Sequence, residues 1–194
     1  MNKYKSVITE SKARWFIISE LLMKYELRTM VELGASKGDN ARNILWDLRK
    51  NNYGLLRYYL IDISINQKIA TYGETKARLY YYNDFYLGVR SSCIYIDKGS
   101  IESAKEVKEK VDFVWVDADT TSTQAIKKDI ETWLPKLKVG GIIGGRYVSL
   151  KRENIHTYYI LPLIEKIFGA KNLNFHSLIE QNSGREDYMW WFQK

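Results

Sequence analysis

The residues able to do chemistry stand where apolar runs end. Glu32 lies inside the first such run, Met30–Leu33, and Gly34, Ala35, Ser36 and Gly38 follow it with little side-chain bulk. A turn of this kind brings bare backbone close to a ligand, at the carboxyl end of a strand and beside a helix N-terminus. The spacing is G-x-x-x-G, not the G-x-G-x-x-G of a nicotinamide-binding turn. A plain strand–helix corner packed on glycine would also use it. A second apolar run, Leu55–Ile61, ends in Asp62. The interval from Gly34 to Asp62 is close to the roughly 20-residue offset of a carboxylate that accepts hydrogen bonds from the vicinal hydroxyls of a ribose. Gly99-Ser100 follows a third run, Asp117 and Asp119 follow VDFVWV, and Arg146-Tyr147 follows Ile142–Gly145. Asp117 and Asp119 can cap a helix and shape a turn. As a pair they can also ligate a hard divalent ion, take a proton or contact an ammonium group.

These groups need strands and helices to position them, and the periodicity supplies both. Strands are expected at 29–33, 55–62, 92–97, 112–117, 142–145, around 173–179 and at 188–192. Ala41, Ile44, Leu45 and Leu48 mark a helix over about 39–51, and Ile126, Ile130, Trp133 and Leu137 mark another, with Pro135 near its end. Ile65–Arg78 reads as a weaker helix, Ser100 as the N-cap of a short one, and Pro162 as the first turn of one ending near 168. Trp15, Ile18, Leu22 and Tyr25 place an amphipathic helix over 10–27. Val139-Gly140-Gly141 reads as a turn. Tyr80, Tyr81, Tyr82, Phe85 and Tyr86 crowd around Asn83 and Asp84, either as a covered loop or as an aromatic wall near a ligand. The alternation predicts an α/β fold with a Rossmann-like, seven-stranded, mostly parallel sheet. Helices cover both faces, and the last strand runs antiparallel. Residues 1–194 read as a single domain, with 1–27 as a helical extension before the first strand. Ligands in such sheets bind outside the carboxyl ends of the strands, where all the residues above would lie.

The 194 residues, 45% of them hydrophobic, are enough for one sizeable core. No apolar run approaches the roughly 20 residues of a membrane span. The start, MNKYKSVITESK, has no apolar core of a secretory signal, and the single cysteine, Cys93, cannot form an internal disulfide. A cytoplasmic setting is expected. The net charge of +7 favours an anionic partner, such as nucleic acid, a phosphorylated substrate or a membrane surface, without choosing among them.

On its first glycine turn and on Asp62, the chain resembles the class I S-adenosylmethionine-dependent methyltransferases. VELGASKGD is similar to their first motif, and YYLIDIS to the acid that ends their second strand. VDFVWVDADTTSTQAIKKDIETWLPKLKVGGIIGG resembles the branch that groups antibiotic and sugar O-methyltransferases with cephalosporin hydroxylase-like proteins, methyltransferase family 24. That branch reads D-F-V-x-I-D-G-D-H-S-Y at its fourth strand and P-G-G-x-I-x-G-H-D-Y at its fifth. Asp129 through Trp133, Leu134 and Pro135, then Gly140 and Gly141, fit this pattern, and the closing YMWWFQK resembles the final strand. Two positions depart from it. Thr120 replaces a histidine, and Arg146-Tyr147 stands where H-D-Y is expected.

The resemblance implies S-adenosyl-L-methionine as cofactor. Glu32, Gly34, Ala35, Ser36 and Gly38 would line its methionine part, Asp62 would hold its ribose, and Ser100 would lie near its adenine. Asp117 would be nearest the transferred methyl, as base or orienter, and Arg146 would join it at the reaction centre. Metal-using relatives hold their ion with acids after strands four and five. Here a cation, Arg146, occupies the second place, so no metal is expected and an anionic acceptor is favoured. The implied reaction is O-methylation of a small-molecule or sugar acceptor. Two alternatives remain: an RNA methyltransferase using Lys136, Lys138, Arg146, Lys151 and Arg152, and a catalytically degenerate module that keeps the cofactor pocket.

Overall fold

The computed structural model describes residues 3–36, 38–54, 57–63, 92–118, 122–148, 159–178 and 187–194. The β-branched and aromatic runs of the middle of the chain form parallel strands: β2 (Thr29–Leu33), β3 (Arg57–Ile61), β4 (Ser92–Ile96), β5 (Val111–Val116) and β6 (Leu137–Val148). Between and around them lie α1 (Arg14–Lys24), α2 (Asp39–Lys50), the single turn α3 (Ser100–Ser103), α4 (Thr123–Trp133) and α5 (Ile160–Phe168). The strands β1 (Ser6–Lys12), β7 (Asn174–Leu178) and β8 (Asp187–Gln193) complete a sheet ordered β1-β7-β8-β6-β5-β2-β3-β4. β8 runs antiparallel to both β6 and β7. No described helix is long and apolar enough to cross a membrane. The sequence-predicted helix at 65–78, the aromatic segment 80–86, and Asp119, Thr120, Lys151 and Arg152 lie outside the described residues.

The strand period of two sorts the core into layers. Met30, Tyr58, Leu60, Phe113, Trp115 and Ile142 pack with α1 and α2 on one face. Val31, Leu33, Tyr59, Ile61, Val114, Val116 and Ile143 pack with α4 and α5 on the other. The same parity turns Glu32, Asp62, Asp117 and Arg146 toward the α1/α2 side. The chain leaves β2 for α2 on that face and leaves β5 for α4 on the opposite face. β2 and β5 are neighbours, so a topological switch point, the usual ligand crevice of open α/β sheets, opens between their carboxyl ends.

Three features differ from the sequence reading. Ser6–Lys12 is a strand, not part of a helical extension, so the described sheet has eight strands where seven were expected. β1 pairs in parallel with β7, more than 160 residues away, and is tied down by contacts that no local pattern encodes. Ser6 Oγ donates to Asn174 Oδ1 at 2.9 Å, Ser11 and Ser177 share a 2.7 Å hydroxyl bond, and the His176 ring meets the Glu10 carbonyl at 2.9 Å. Second, Val139-Gly140-Gly141 is no turn. β6 begins at Leu137, and its register against β5 shifts between Val111 and Phe113, so the glycines form a bulge inside the strand. A Cβ on Gly141 would lie 2.8 Å from the Asp112 carbonyl, which explains the small residue there. Third, Ser100 does not cap its helix. Gly99 holds that position, the Ser100 hydroxyl donates to Asp129, and the Ser100 carbonyl accepts from the Trp133 indole N–H at 3.1 Å. Ser100 thereby ties α3 to α4.

Candidate functional site

At the switch point lies an open cavity of about 450 Å³, lined by Arg14, Glu32, Gly34, Ala35, Ser36, Asp39, Asn40, Asp62, Asp117, Ala118 and Arg146. That volume is within the usual range for a small-molecule site, about 300–1,000 Å³. The glycine turn forms its floor. The Gly34 and Ala35 N–H groups both donate to the Ile61 carbonyl, at 2.8 and 3.1 Å, so the turn is stitched to the end of β3. Ser36 has φ of 49°, and its N–H donates to Asp62 Oδ2 at 2.9 Å. Gly38, with φ of 78°, is the left-handed N-cap of α2; it shapes the turn and is not among the lining residues.

Asp117 sits at the centre of the wall with its side chain 6% exposed. Arg146 Nε donates to its Oδ1 at 2.6 Å, and Arg14 Nη1 donates to its Oδ2 at 3.0 Å. Burial pushes the Asp117 carboxyl up from the usual carboxylate range, and the Arg146 and Arg14 guanidiniums pull it back down. Both oxygens therefore already accept charge-assisted hydrogen bonds. Each oxygen keeps a second lone pair for a further donor, while the two guanidiniums beside it oppose the close approach of a metal cation.

Behind this pair lies a buried polar chain. Arg14 Nε also donates to Asn40 Oδ1 at 3.2 Å, Asn40 Nδ2 donates to Glu32 Oε1 at 2.8 Å, and the Tyr58 hydroxyl donates to Glu32 Oε2 at 2.6 Å. Glu32 is 2% exposed. Burial pushes its carboxyl up to about 7, against Tyr58, Asn40 and Arg14, which favour the charged form. Below about pH 4.5, Glu32 is protonated in both folded and unfolded chains and the fold carries no cost. Between about pH 4.5 and 7 the unfolded chain has ionised Glu32 while the folded chain keeps it protonated, so stability falls across that window, by about 3 kcal/mol relative to acid conditions, and levels off above it. Glu32→Gln should therefore gain in urea midpoint over the parent between about pH 5 and pH 8. A gap that stays constant with pH would show that Glu32 does not titrate in this way.

The site thus brings together Glu32, Gly34, Ala35, Ser36, Asp62, Asp117 and Arg146 of the sequence-predicted set. It leaves Gly38 beside the turn and Ser100 in the α3–α4 contact. Arg14, Asn40 and Tyr58 escaped the sequence reading. Asn40 had a signal: it precedes Ile44 and Leu48 by four and eight residues, so it is a polar residue on the buried stripe of α2. Arg14 and Tyr58 had none. The proposed basic group is also divided. Lys136 and Lys138 lie at the opening end of β6, where Lys136 Nζ donates to the Val107 carbonyl at 2.6 Å and Lys138 pairs with Asp112 at 2.8 Å. Arg146 is at the far end of the same strand, eight residues on and so on the order of 25 Å away.

Along the sheet, Asp62 follows β3, Gly34 follows β2, Asp117 follows β5 and Arg146 lies in the last residues of β6, four neighbouring strands in order. Successive strands lie about 4.8 Å apart, so the two acids flank the glycine turn at roughly 10 Å separation. The fold is similar to that of an rRNA methylase from Streptococcus thermophilus, with a TM-score of 0.63 at 15% identity, over 94% of this chain and 97% of that one. It is similar to the O-methyltransferase TomG from Streptomyces achromogenes, solved with S-adenosylmethionine (0.62, 12%, 93% and 79%), and to an O-methyltransferase from Bacillus cereus solved with S-adenosylhomocysteine (0.61, 16%, 93% and 80%). No curated protein sequence matches the chain. The family described as a methyltransferase domain, methyltransferase family 24, matches residues 31–145. With more than half of its length in that match, the chain belongs to this family and is a class I S-adenosyl-L-methionine-dependent methyltransferase.

Proposed function

We propose that the chain methylates an oxygen of a small-molecule or sugar acceptor, without a divalent metal, and that the acceptor carries negative charge. The observation that carries this reading is the alignment of Asp62, Gly34, Asp117 and Arg146 on one cavity wall. The residues fit the cofactor: a carboxylate beside the nucleoside half, a close-packed glycine turn, and a carboxylate–guanidinium cluster beyond it. When bound, the cofactor supplies a methyl group already activated on a sulfonium. The chain's own residues then bind, orient and exclude water. Asp62 accepts the ribose hydroxyls. Asp117, held by two guanidiniums, fixes the geometry where the methyl is handed over, and Arg146 draws the acceptor's anionic group to that point. The oxygen acceptor follows the family branch, with O-methyltransferases among the structural neighbours. Metal independence rests on the two cations, Arg14 and Arg146, held against Asp117, which would repel a metal ion there.

The test is labelled-methyl transfer from the cofactor to panels of sugars, phenols and RNA, with and without EDTA. Transfer to an anionic small molecule that survives EDTA supports the reading. Transfer to RNA alone would establish the nucleic-acid alternative, for which fold similarity to an rRNA methylase and the +7 charge speak. Loss with EDTA and return with magnesium would overturn the metal-free part. Cofactor binding with no transfer to any acceptor would favour the degenerate module.

Asp62→Ala is expected to weaken S-adenosylhomocysteine binding by about 1–3 kcal/mol, the cost of leaving polar partners unpaired. Asp62→Asn keeps an acceptor for the Ser36 N–H and should lose less. Calorimetry in which Asp62→Ala binds like the parent would remove Asp62 from the ribose site.

A further inference from the structure

We infer that the Arg14–Asp117 ion pair is the subsite for the amino-acid end of the cofactor, with Arg14 taking its carboxylate and Asp117 its ammonium. This rests on the cofactor being S-adenosylmethionine and assigns a role to the N-terminal helix. An α-amino acid presents a carboxylate and an ammonium group side by side. Its complement is a guanidinium and a carboxylate side by side on a cavity wall. Arg14 and Asp117 are 3.0 Å apart, and both line the cavity.

The placement favours the cofactor over the acceptor. Arg14 is anchored on the α2 side of Asp117, through Asn40 and from there to Glu32. Glu32 belongs to β2, the strand that leads into the glycine turn. Arg146 approaches Asp117 from the other flank, from β6. In sheet order the nucleoside acid Asp62 and the glycine turn lie on the Arg14 side of Asp117, so a ligand extending from Asp62 along the turn meets Arg14 and Asp117 before Arg146. Arg14 also has donors to spare. Its guanidinium carries five N–H groups in a fixed fork. The described contacts are one bond to Asn40 and one to Asp117, and the side chain keeps 26% exposure. α1 holds Arg14 there by its own packing: Ile17, Ile18, Leu21 and Leu22 are buried against the α2 face of the sheet.

The experiment is calorimetry on the whole chain with two probes. One is S-adenosylhomocysteine. The other is 5′-deoxy-5′-methylthioadenosine, which keeps the nucleoside and thioether and lacks the amino-acid end. Arg14→Gln should weaken the first by about tenfold to a hundredfold, the scale of a lost charge-assisted bond, and leave the second within about twofold. Equal losses for both probes would make Arg14 a structural residue and overturn the inference, as would unchanged affinity for the first. If Arg14→Gln does not fold, Arg14→Lys gives the same comparison: selective loss on the amino-acid probe supports the assignment and parallel loss overturns it. A parent that binds neither probe would instead bring down the cofactor reading beneath it.

Discussion

Gly34→Val is expected to destabilise the chain by about 3 kcal/mol or more, and to lose cofactor binding mainly for that reason. A Cβ at residue 34 would lie 2.4 Å from the Asp117 carbonyl oxygen, 2.6 Å from Ala118 Cα and 2.7 Å from the Asp117 carbonyl carbon. All three are backbone atoms, so no rotamer change can relieve the overlap. Gly34 also has φ of 83°, a left-handed conformation that costs a residue with a side chain about 1–2 kcal/mol. Forced overpacking adds about 1–3 kcal/mol. Against a total stability of about 5–15 kcal/mol, that sum removes a large share. The cause is the switch point itself. Asp117 N–H donates to the Leu33 carbonyl at 3.0 Å, so the ends of β2 and β5 are in contact where their chains diverge to opposite faces. Urea denaturation read by tryptophan fluorescence checks the expectation. A variant with the parent's midpoint and no binding would mean that the glycine makes room for the ligand and not for the neighbouring strand.

That distinction marks how far the sequence could be read. From the chain alone, Gly34 had to lie in a tight turn after a buried strand, and it does. Which object needed the space was not legible, because the answer depends on how β5 lies against β2, and residues 34 and 117 are remote in sequence. The same division runs through the site. Asp62 and Asp117 announced themselves as acids closing apolar runs, since a charge at the end of a buried strand is costly unless it has work to do. Glu32 was legible as an acid inside such a run, but its ties to Tyr58 and Asn40 were not. β1 was missed because an edge strand with one row of contacts to β7 shows little alternation of its own. The Gly140-Gly141 bulge read as a turn because local sequence marks a break in backbone regularity equally in both. Arg14 was invisible for a simpler reason: the first residue of a helix is unremarkable until tertiary packing sets that helix over a cavity.

Asp117→Ala should have the largest effect on the site, because Asp117 is the anion that two guanidiniums share. Arg14 and Arg146, with side chains 26% and 25% exposed, would be left facing one another with that common carboxylate gone. Removing one partner of a buried ion pair costs about 3–5 kcal/mol, and partial exposure to water reduces that here to about 2 kcal/mol. Cofactor affinity should fall by about a hundredfold, since Asp117 and the geometry it imposes on both arginines disappear together. Asp117→Asn should sit between the parent and the alanine variant. Its amide oxygen can accept from one guanidinium, and its amide nitrogen then faces the other. The alanine variant also leaves a hole the size of a carboxyl group between two cations. Formate is therefore expected to raise the melting temperature of Asp117→Ala and to leave the parent unaffected, whereas an equal concentration of chloride should do less, because it cannot bridge two guanidiniums with two oxygens. If the variant melts with the parent and formate changes nothing, the two arginines are satisfied by other groups, and the carboxylate does not organise the cluster.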